Sequence, residues 1–248
     1  MPPKKQHQQN GNGVTNFYEH RDMQKLITKH HNPHFQEHHI SVPFRMAIIG
    51  SSGSGKTSCL LNILSKMSDT FGHIHVVYKA SEPLYEFLSN KIGGKNITFY
   101  TKISDLPPIT DFPNKDKQQL IVFDDQVNES DKAHTLVKEW FIRGRKVGKG
   151  VSLVYISQSF FKIPKIIRSQ LGYLILLKLS SLRDLHLIIS DFAMGIDRDL
   201  LTKIYRDATK EFGNFLKIDL DGSDMNKKFS HNFNQFYSVE DESDSDED

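Results

Sequence analysis

Eight consecutive residues have the types and spacing needed to bind phosphate. Gly50-Ser51-Ser52-Gly53-Ser54-Gly55-Lys56-Thr57 matches the pattern G-x-x-x-x-G-K-[ST] between an apolar run and a stretch with helical character. Its glycines let the backbone curl without Cβ clashes, so successive N–H groups can face an anion at a helix N-terminus. In such a P-loop, Lys56 is predicted to reach the β- and γ-phosphates of ATP and the Thr57 hydroxyl to bind Mg²⁺. We expect Ser58 to complete the phosphate-binding segment.

Two aspartates supply the acidic groups that a P-loop enzyme needs. They follow the apolar run Leu120-Ile121-Val122-Phe123. Asp124 is predicted to hold the Mg²⁺ shell, and Asp125 to orient and activate the attacking water. Two alternatives stay open: Asp125 caps a helix, or Glu129 serves as the base instead.

A polar amide ends a further apolar run. Gln158 follows residues 151–157, and a side chain at the carboxyl end of a buried strand faces the ligand crevice of an open α/β sheet. Gln158 is therefore predicted to sense the γ-phosphate or to position water. The alternative is an amide that hydrogen-bonds to a loop.

Basic residues bracket this run on both sides. They are Arg143, Arg145, Lys146 and Lys149 before it, and Lys162, Lys165 and Arg168 after it. Three roles stay open: contacts to nucleic-acid phosphates, an arginine finger that enters a neighbouring subunit's ATP site, or a solvated basic surface. For the finger we predict Arg143 or Arg145, with Arg168 as the alternative.

The elements that must position these residues follow an α/β pattern. From Phe44 onward, short apolar runs alternate with helical stretches, as expected of a mostly parallel central sheet flanked by helices. Strands are predicted at 44–49, 74–78, 97–100, 120–123, 151–157, 173–178 and 214–218. Helices are predicted at 56–67, 83–88, 132–142, 164–170, 182–190 and 197–209. The sequence thus predicts a P-loop NTPase fold of the RecA/ASCE-like type.

Three regions are expected along the chain. Residues 1–40, rich in His, Gln and Asn, are expected to form a flexible arm with a short helix near residues 21–29. Residues 41–220 are predicted to form the ATPase domain, and residues 221–248 a C-terminal extension with an acidic, disordered tail. The arm carries a histidine cluster, interpreted as a solvated linker, with metal chelation as the alternative. The cluster comprises His30, His31, His34, His38 and His39.

The composition limits the size, the cellular compartment and the partners that we expect for this chain. With 248 residues, 38% hydrophobic and 25% charged, the chain is long enough for one large α/β domain with solvated ends. Its apolar runs are much shorter than the ~20 residues of a membrane span. Cys59 is the only cysteine, which excludes an intrachain disulfide and indicates a reducing compartment. Seven of the last nine residues are acidic, so the net charge of +2 hides a body of about +9, which favours a polyanionic partner.

The segments FRMAIIGSSGSGKTS, LIVFDD and RGRKVGKGVSLVYISQSFFKIPKIIRSQ, with their spacing, resemble the viral genome-packaging ATPases of the FtsK–HerA superfamily found in giant viruses and virophages. The resemblance covers residues 44 to about 190. It implies a Mg-dependent ATPase that drives double-stranded DNA into a preformed capsid. It further implies a homo-oligomeric ring (pentamer or hexamer), capsid or portal-vertex proteins as partners, and a location in the virion or in the viral factory of the host cytoplasm.

Other functions remain as alternatives. A nucleoside or small-molecule kinase shares the P-loop but needs a pocket for its acceptor, and a nucleotide-binding scaffold would assemble virions without productive hydrolysis. A GTPase is disfavoured because Asn114-Lys115-Asp116-Lys117 has lysine where the base-reading N-K-x-D pattern has aspartate.

Overall fold

The computed structural model describes residues 15–27, 29–80, 82–126, 130–192 and 196–239. Glu129 and the acidic tail at 240–248, both named in the sequence analysis, lie outside these ranges. Within them, no helix combines the length and apolarity needed to cross a membrane.

The strands of the described chain form one sheet. They are β1 (Arg45–Ile49), β2 (His73–Val77), β3 (Ile97–Tyr100), β4 (Gln119–Asp124), β5 (Val151–Ser157), β6 (Tyr173–Leu176), β7 (Leu216–Asp219), β8 (Phe229–His231) and β9 (Gln235–Phe236). The helices are α1 (Arg21–Leu26), α2 (Phe35–His38), α3 (Lys56–Lys66), α4 (Pro83–Ile92), α5 (Asp131–Arg143), α6 (Lys165–Arg168), α7 (Leu182–Phe192) and α8 (Arg198–Ala208).

The sheet order is β3-β2-β4-β5-β1-β6-β7-β8-β9. All pairings from β3 to β6 are parallel, and those from β6 to β9 are antiparallel. A mostly parallel central sheet flanked by helices is therefore confirmed.

The register of the three central strands brings their carboxyl ends together. Ile49 of β1 is opposite Ser157 of β5, and Asp124 of β4 is opposite Ile156 of β5. The residues that follow β1 and β5 therefore emerge beside Asp124 at one edge of the sheet. This is the edge at which open α/β sheets bind ligands.

Alternating side chains along β1 divide the core between the two faces of the sheet. Ala47 and Ile49 belong to one buried cluster, which includes side chains of α5, α7 and α8. Met46 and Ile48 belong to the other, which includes side chains of α3 and α4. Because both faces are covered, the parallel strands read as continuous apolar runs, which is why their positions were predictable.

The segment at 30–40 is attached to the domain more firmly than the expected flexible arm. The side chains of His38 and Ile40 are fully buried. Asn32 Nδ2 donates to the Ile40 carbonyl at 2.9 Å, and buried Lys217 donates from Nζ to the His38 carbonyl at 2.9 Å. The interpretation of His38 as part of a solvated linker was therefore wrong. The sequence could not show this, because a buried histidine and a solvated one have the same sequence signal. No group of three or more His, Cys, Asp or Glu in the described ranges is arranged to hold a metal ion.

Two further strands follow residue 221, within the predicted C-terminal extension. β8 and β9 have three and two residues. Strands this short carry no alternating pattern that a sequence could show. Lys217 Nζ also donates to the Phe233 carbonyl at 2.6 Å, so one buried ammonium joins the segment before β1 to the hairpin after β7. Burial lowers the pKa of Lys217 to about 8, against the opposing effect of Asp219.

Candidate nucleotide-binding site

The loop between β1 and α3 has an open anion-binding geometry. Gly53 and Gly55 adopt φ angles of +73° and +93°, a region that glycine enters without strain. Gly55 is the N-cap of α3 and offers no side chain to its first N–H groups. The amides at the start of α3 are thus available to a phosphate, and the positive end of the helix dipole favours its charge.

Packing beneath the loop explains the first glycine of the pattern. A Cβ on Gly50 would lie 2.9 Å from Leu177 Cβ and would also collide with the Ser54 hydroxyl. Gly50 donates to the Ser157 carbonyl at 3.3 Å, and Ser51 donates to the Lys178 carbonyl at 3.0 Å. The loop is therefore fastened to the strands on both sides of β1. Ser54 Oγ is buried and has no hydrogen-bond partner among the described residues.

Lys56 lies across the loop. Its Nζ donates to the Gly50 carbonyl at 3.0 Å and to the Ser51 carbonyl at 2.9 Å. Partial burial lowers the pKa of Lys56, while the carboxylates of Asp124, Asp125 and Glu82 act in the opposite direction. This half-buried ammonium can form an ion pair with a phosphate that binds to the loop.

Asp124 ends β4 and is held by a tyrosine. Tyr85, buried on α4, donates its hydroxyl to Asp124 Oδ2 at 2.6 Å. Burial raises the pKa of Asp124 to about 6, and the Tyr85 hydrogen bond acts in the opposite direction. A carboxylate in such a setting gains from an added cation, so the donor set fits Mg²⁺ held between Asp124 and Thr57, both of which line the same cavity.

The turn after Asp124 places a second carboxylate at the cavity. Asp125 has a φ of +50°, a region that aspartate tolerates better than most residues, and its amide donates to the Ile156 carbonyl at 3.2 Å. The buried side chain of Gln126 donates to the Asp124 carbonyl at 2.8 Å. His134 Nε2 lies 2.8 Å from the Gln126 carbonyl, which fixes this nitrogen as the donor. These hydrogen bonds hold the turn that carries Asp125 in place.

Gln158 lies at the cavity with an exposed side chain. The loop that follows it is anchored by Asp184, which is 4% exposed. Asp184 Oδ1 accepts from the Ser159 hydroxyl at 3.0 Å and from the Phe161 amide at 3.3 Å.

The structure thus brings Asp124, Asp125 and Gln158 to one cavity of about 370 Å³ together with most of the predicted P-loop, namely Ser52, Gly53, Gly55, Lys56, Thr57 and Ser58. Gly50, Ser51 and Ser54 belong to the loop and do not line this cavity. It also adds lining residues that sequence reasoning missed, among them Lys79, Glu82, Leu84 and Phe212. None belongs to a local motif. Lys79 and Glu82 follow β2, which the parallel sheet places next to β4, so only the strand order could have indicated them.

The two arginines proposed as fingers lie elsewhere. Arg143 ends α5 and Arg145 precedes β5, so both are at the edge of the sheet opposite the P-loop of the same chain. Both are exposed, and Arg143 Nη1 is 2.6 Å from Glu139 Oε1. Arg168, by contrast, is mostly buried, 3.6 Å from Asp191 and over the Phe160 ring.

Comparisons with known proteins agree with this geometry. The sequence profile of the family described as "Poxvirus A32 protein" matches residues 32–212. The "DNA packaging protein OPG160" of variola virus is 26% identical over 199 residues, which cover 76% of this chain and 73% of that protein. The protein of the same name from vaccinia virus (strain Copenhagen) is 25% identical over the same shares.

A solved structure is similar in fold. It is the genome packaging NTPase B204 from Sulfolobus turreted icosahedral virus 2 in complex with ATP-gammaS. The match covers 78% of this chain and 98% of that one, with a TM-score of 0.53 and 13% identity. The P-loop ATPase fold is therefore confirmed.

Proposed function

The chain belongs to the poxvirus A32 protein family, and on this premise we propose that it is an ATP-hydrolysing motor that packages double-stranded viral DNA into capsids. The observation that supports the proposal most directly is the convergence of Lys56, Asp124, Asp125 and Gln158 on one cavity. The relatives are named DNA packaging proteins, which supports DNA as the cargo, and the P-loop cavity supports ATP hydrolysis as the energy source.

Each functional residue of the cavity has its own role in ATP hydrolysis. The amides at the start of α3 and the Lys56 ammonium bind the β- and γ-phosphates. Asp125 accepts a proton from the attacking water, and the exposed Gln158 amide holds that water or the γ-phosphate by hydrogen bonds. The braced turn after β4 keeps the Asp125 carboxylate in place during the reaction.

Thr57 and Asp124 would hold Mg²⁺, Thr57 through its hydroxyl and Asp124 through its carboxylate. When bound, Mg²⁺ neutralises phosphate charge that develops during transfer. Tyr85 keeps the Asp124 carboxylate oriented, and the surrounding burial excludes water from that side of the cavity.

The motor's partners follow from charge and family. Arg143, Arg145, Lys146 and Lys149 are exposed on the edge opposite the nucleotide. Their positive charge and exposure suit them to contact either DNA phosphates or a neighbouring subunit. The active form is a homo-oligomeric ring of five or six subunits that works with capsid or portal-vertex proteins, in the virion or the viral factory.

ATP turnover with and without duplex DNA, measured on size-fractionated protein with Mg²⁺ or with excess EDTA, tests the proposal. We expect Mg²⁺-dependent turnover in the oligomeric fraction that rises when duplex DNA is added. Turnover that rises with small phosphoryl acceptors and not with DNA would indicate a kinase. Tight ATP binding without turnover in any fraction would indicate an assembly scaffold.

A further inference from the structure

Phe212 is the most exposed large apolar side chain among the described residues, at 81%. Its ring Cζ lies 3.5 Å from the position that a Cβ on Gly55 would occupy, so the ring is beside the P-loop. Phe212 lines the nucleotide cavity and also a neighbouring cavity of about 390 Å³. Such an exposed ring contributes nothing to the core. An exposed apolar side chain at the rim of a cavity is typical of a ligand-binding site.

The ring is carried by a fixed turn. Asn214 donates from its amide to the Glu211 carbonyl at 3.2 Å, and Gly213 has a φ of +83°. A turn closed in this way, with glycine at its third position, holds the second residue outward. The next amide, of Phe215, donates to Asn232 Oδ1 at 3.1 Å, which ties the turn to the β8–β9 hairpin. Phe212 is therefore positioned before any ligand binds.

The strand order says which end of a nucleotide meets this ring. Asp124 and Gln158 follow β4 and β5, on one side of the P-loop strand β1. Phe212 precedes β7, on the other side of β1. A triphosphate whose γ-phosphate faces Asp124 and Gln158 directs its nucleoside away from them, toward the side where Phe212 lies.

We propose that Phe212 stacks on the purine base of the nucleoside triphosphate held by the P-loop. The inference rests on the proposed ATPase function and adds the base subsite to it. Every base has a π-face, so an aromatic platform contributes affinity without reading the edge of the base. ATP and GTP should therefore depend on Phe212 to similar extents.

The test compares ligands with and without a base. Binding of a non-hydrolysable ATP analogue and of inorganic tripolyphosphate is measured by calorimetry on fractions of the same assembly state. We expect Phe212→Ala to weaken analogue binding roughly tenfold or more and to leave tripolyphosphate binding unchanged. Phe212→Trp should restore analogue binding. Phe87→Ala is the matched control, because Phe87 is 53% exposed and lies outside the nucleotide cavity.

Phe212→Trp also gives a spectroscopic readout. The native Trp140 is buried, at 4% exposure, so the new indole is the one open to a ligand. We expect the ATP analogue to quench its fluorescence and tripolyphosphate to leave it unchanged. Equal losses of both ligands in Phe212→Ala would overturn the inference and assign the ring to support of Gly55. Unchanged analogue binding in Phe212→Ala would also overturn it. Wild-type protein that binds neither ligand would instead contradict the proposed function.

Discussion

The Tyr85 hydroxyl donates to Asp124 Oδ2 at 2.6 Å, which joins α4 to the end of β4 beside the nucleotide cavity. Tyr85 is 3% exposed and also packs near the Tyr78 and Phe99 rings. Tyr85 and Asp124 are far apart in the sequence, and no sequence motif pairs them. The bond fixes one carboxylate oxygen and leaves the other to a ligand of the cavity.

Tyr85→Phe removes this bond and keeps the ring. We expect ATP turnover to fall roughly tenfold, as is usual when an outer partner of a metal-binding carboxylate is lost, while nucleotide affinity changes less. The free energy of unfolding should fall by about 1–3 kcal/mol, since a buried carboxylate loses a donor. Steady-state kinetics and urea unfolding measure the two effects. Tyr78→Phe, at a half-buried ring nearby, is the control.

Lys56→Ala and Asp125→Asn should separate binding from chemistry. Removing the Lys56 ammonium takes away charge from the loop and should abolish both nucleotide binding and hydrolysis. Asp125→Asn keeps the shape but accepts no proton, so ATP should still bind while turnover falls at least a hundredfold. Binding titrations and single-turnover hydrolysis give the two readouts.

Wild-type turnover in Asp125→Asn would exclude Asp125 as the base. Glu129, the alternative from the sequence, would then be tested first. Glu82 would follow, because its side chain lines the cavity and does not cap the helix α4 that it precedes.

His75 should make the fold sensitive to acid. It is 4% exposed on β2, with Nδ1 3.0 Å from Tyr100 Oη and Nε2 3.1 Å from Gln119 Oε1. Burial lowers the pKa of His75 from 6.5 to about 4, and Gln119 acts in the opposite direction. Between these values the unfolded chain binds more protons than the folded one, so stability is lost as the pH falls from 6.5 toward 4. The loss should be about 2 kcal/mol at pH 5.

Urea unfolding at pH 7 and pH 5 checks this expectation. His75→Gln should reduce the stability difference between the two pH values, whatever it does to stability at pH 7. His186→Gln, at an exposed position on α7, should leave the difference unchanged. Some dependence should persist in His75→Gln, because burial also lowers the pKa of His38 to about 4. An undiminished difference in His75→Gln would show that His75 is not the sensor.

The parts of the site that the sequence predicted are those in which the chemistry is local. The P-loop needs glycines and a lysine at fixed spacing, and Asp124 follows the apolar strand that carries it, so a short window contains each signal. Strand positions were predictable for a related reason, because strands covered on both faces are continuously apolar.

The parts that were missed depend on strand order or on a lone side chain. Tyr85 reaches Asp124, and Glu82 reaches the cavity, only because β2 pairs with β4. Phe212 lies in a short turn whose place beside Gly55 follows from the position of β7 in the sheet. His38 lies among histidines that look solvated in the sequence, and its burial and the contact of its carbonyl with Lys217 show that its segment is docked.

The place of Arg143 and Arg145 in the fold decides how they can take part in hydrolysis. Both precede β5, whose carboxyl end is at the nucleotide cavity, so neither can reach the ATP of its own chain. Transfer of the γ-phosphoryl group spreads negative charge over its oxygens, and a cation beyond Lys56 and Mg²⁺ lowers that barrier. If Arg143 or Arg145 supplies this cation, it therefore acts on the site of a neighbouring subunit, and both side chains are exposed on the opposite edge.

Mixing two inactive variants tests this assignment. A subunit with Asp125→Asn still offers its arginines, and a subunit with Arg143→Ala and Arg145→Ala still offers its own Asp125. If a finger acts between subunits, mixed rings contain interfaces with both groups intact and should regain ATP turnover that neither variant has alone. Lys146→Ala with Lys149→Ala is the matched control, since it removes nearby positive charge without removing a guanidinium. A finger that acts between subunits has to be complemented when it faces a neighbour's intact site. If both variants assemble normally and the turnover of the mixture only equals the sum of their separate turnovers, Arg143 and Arg145 are not fingers. Contacts with DNA phosphates are then the role left for this pair.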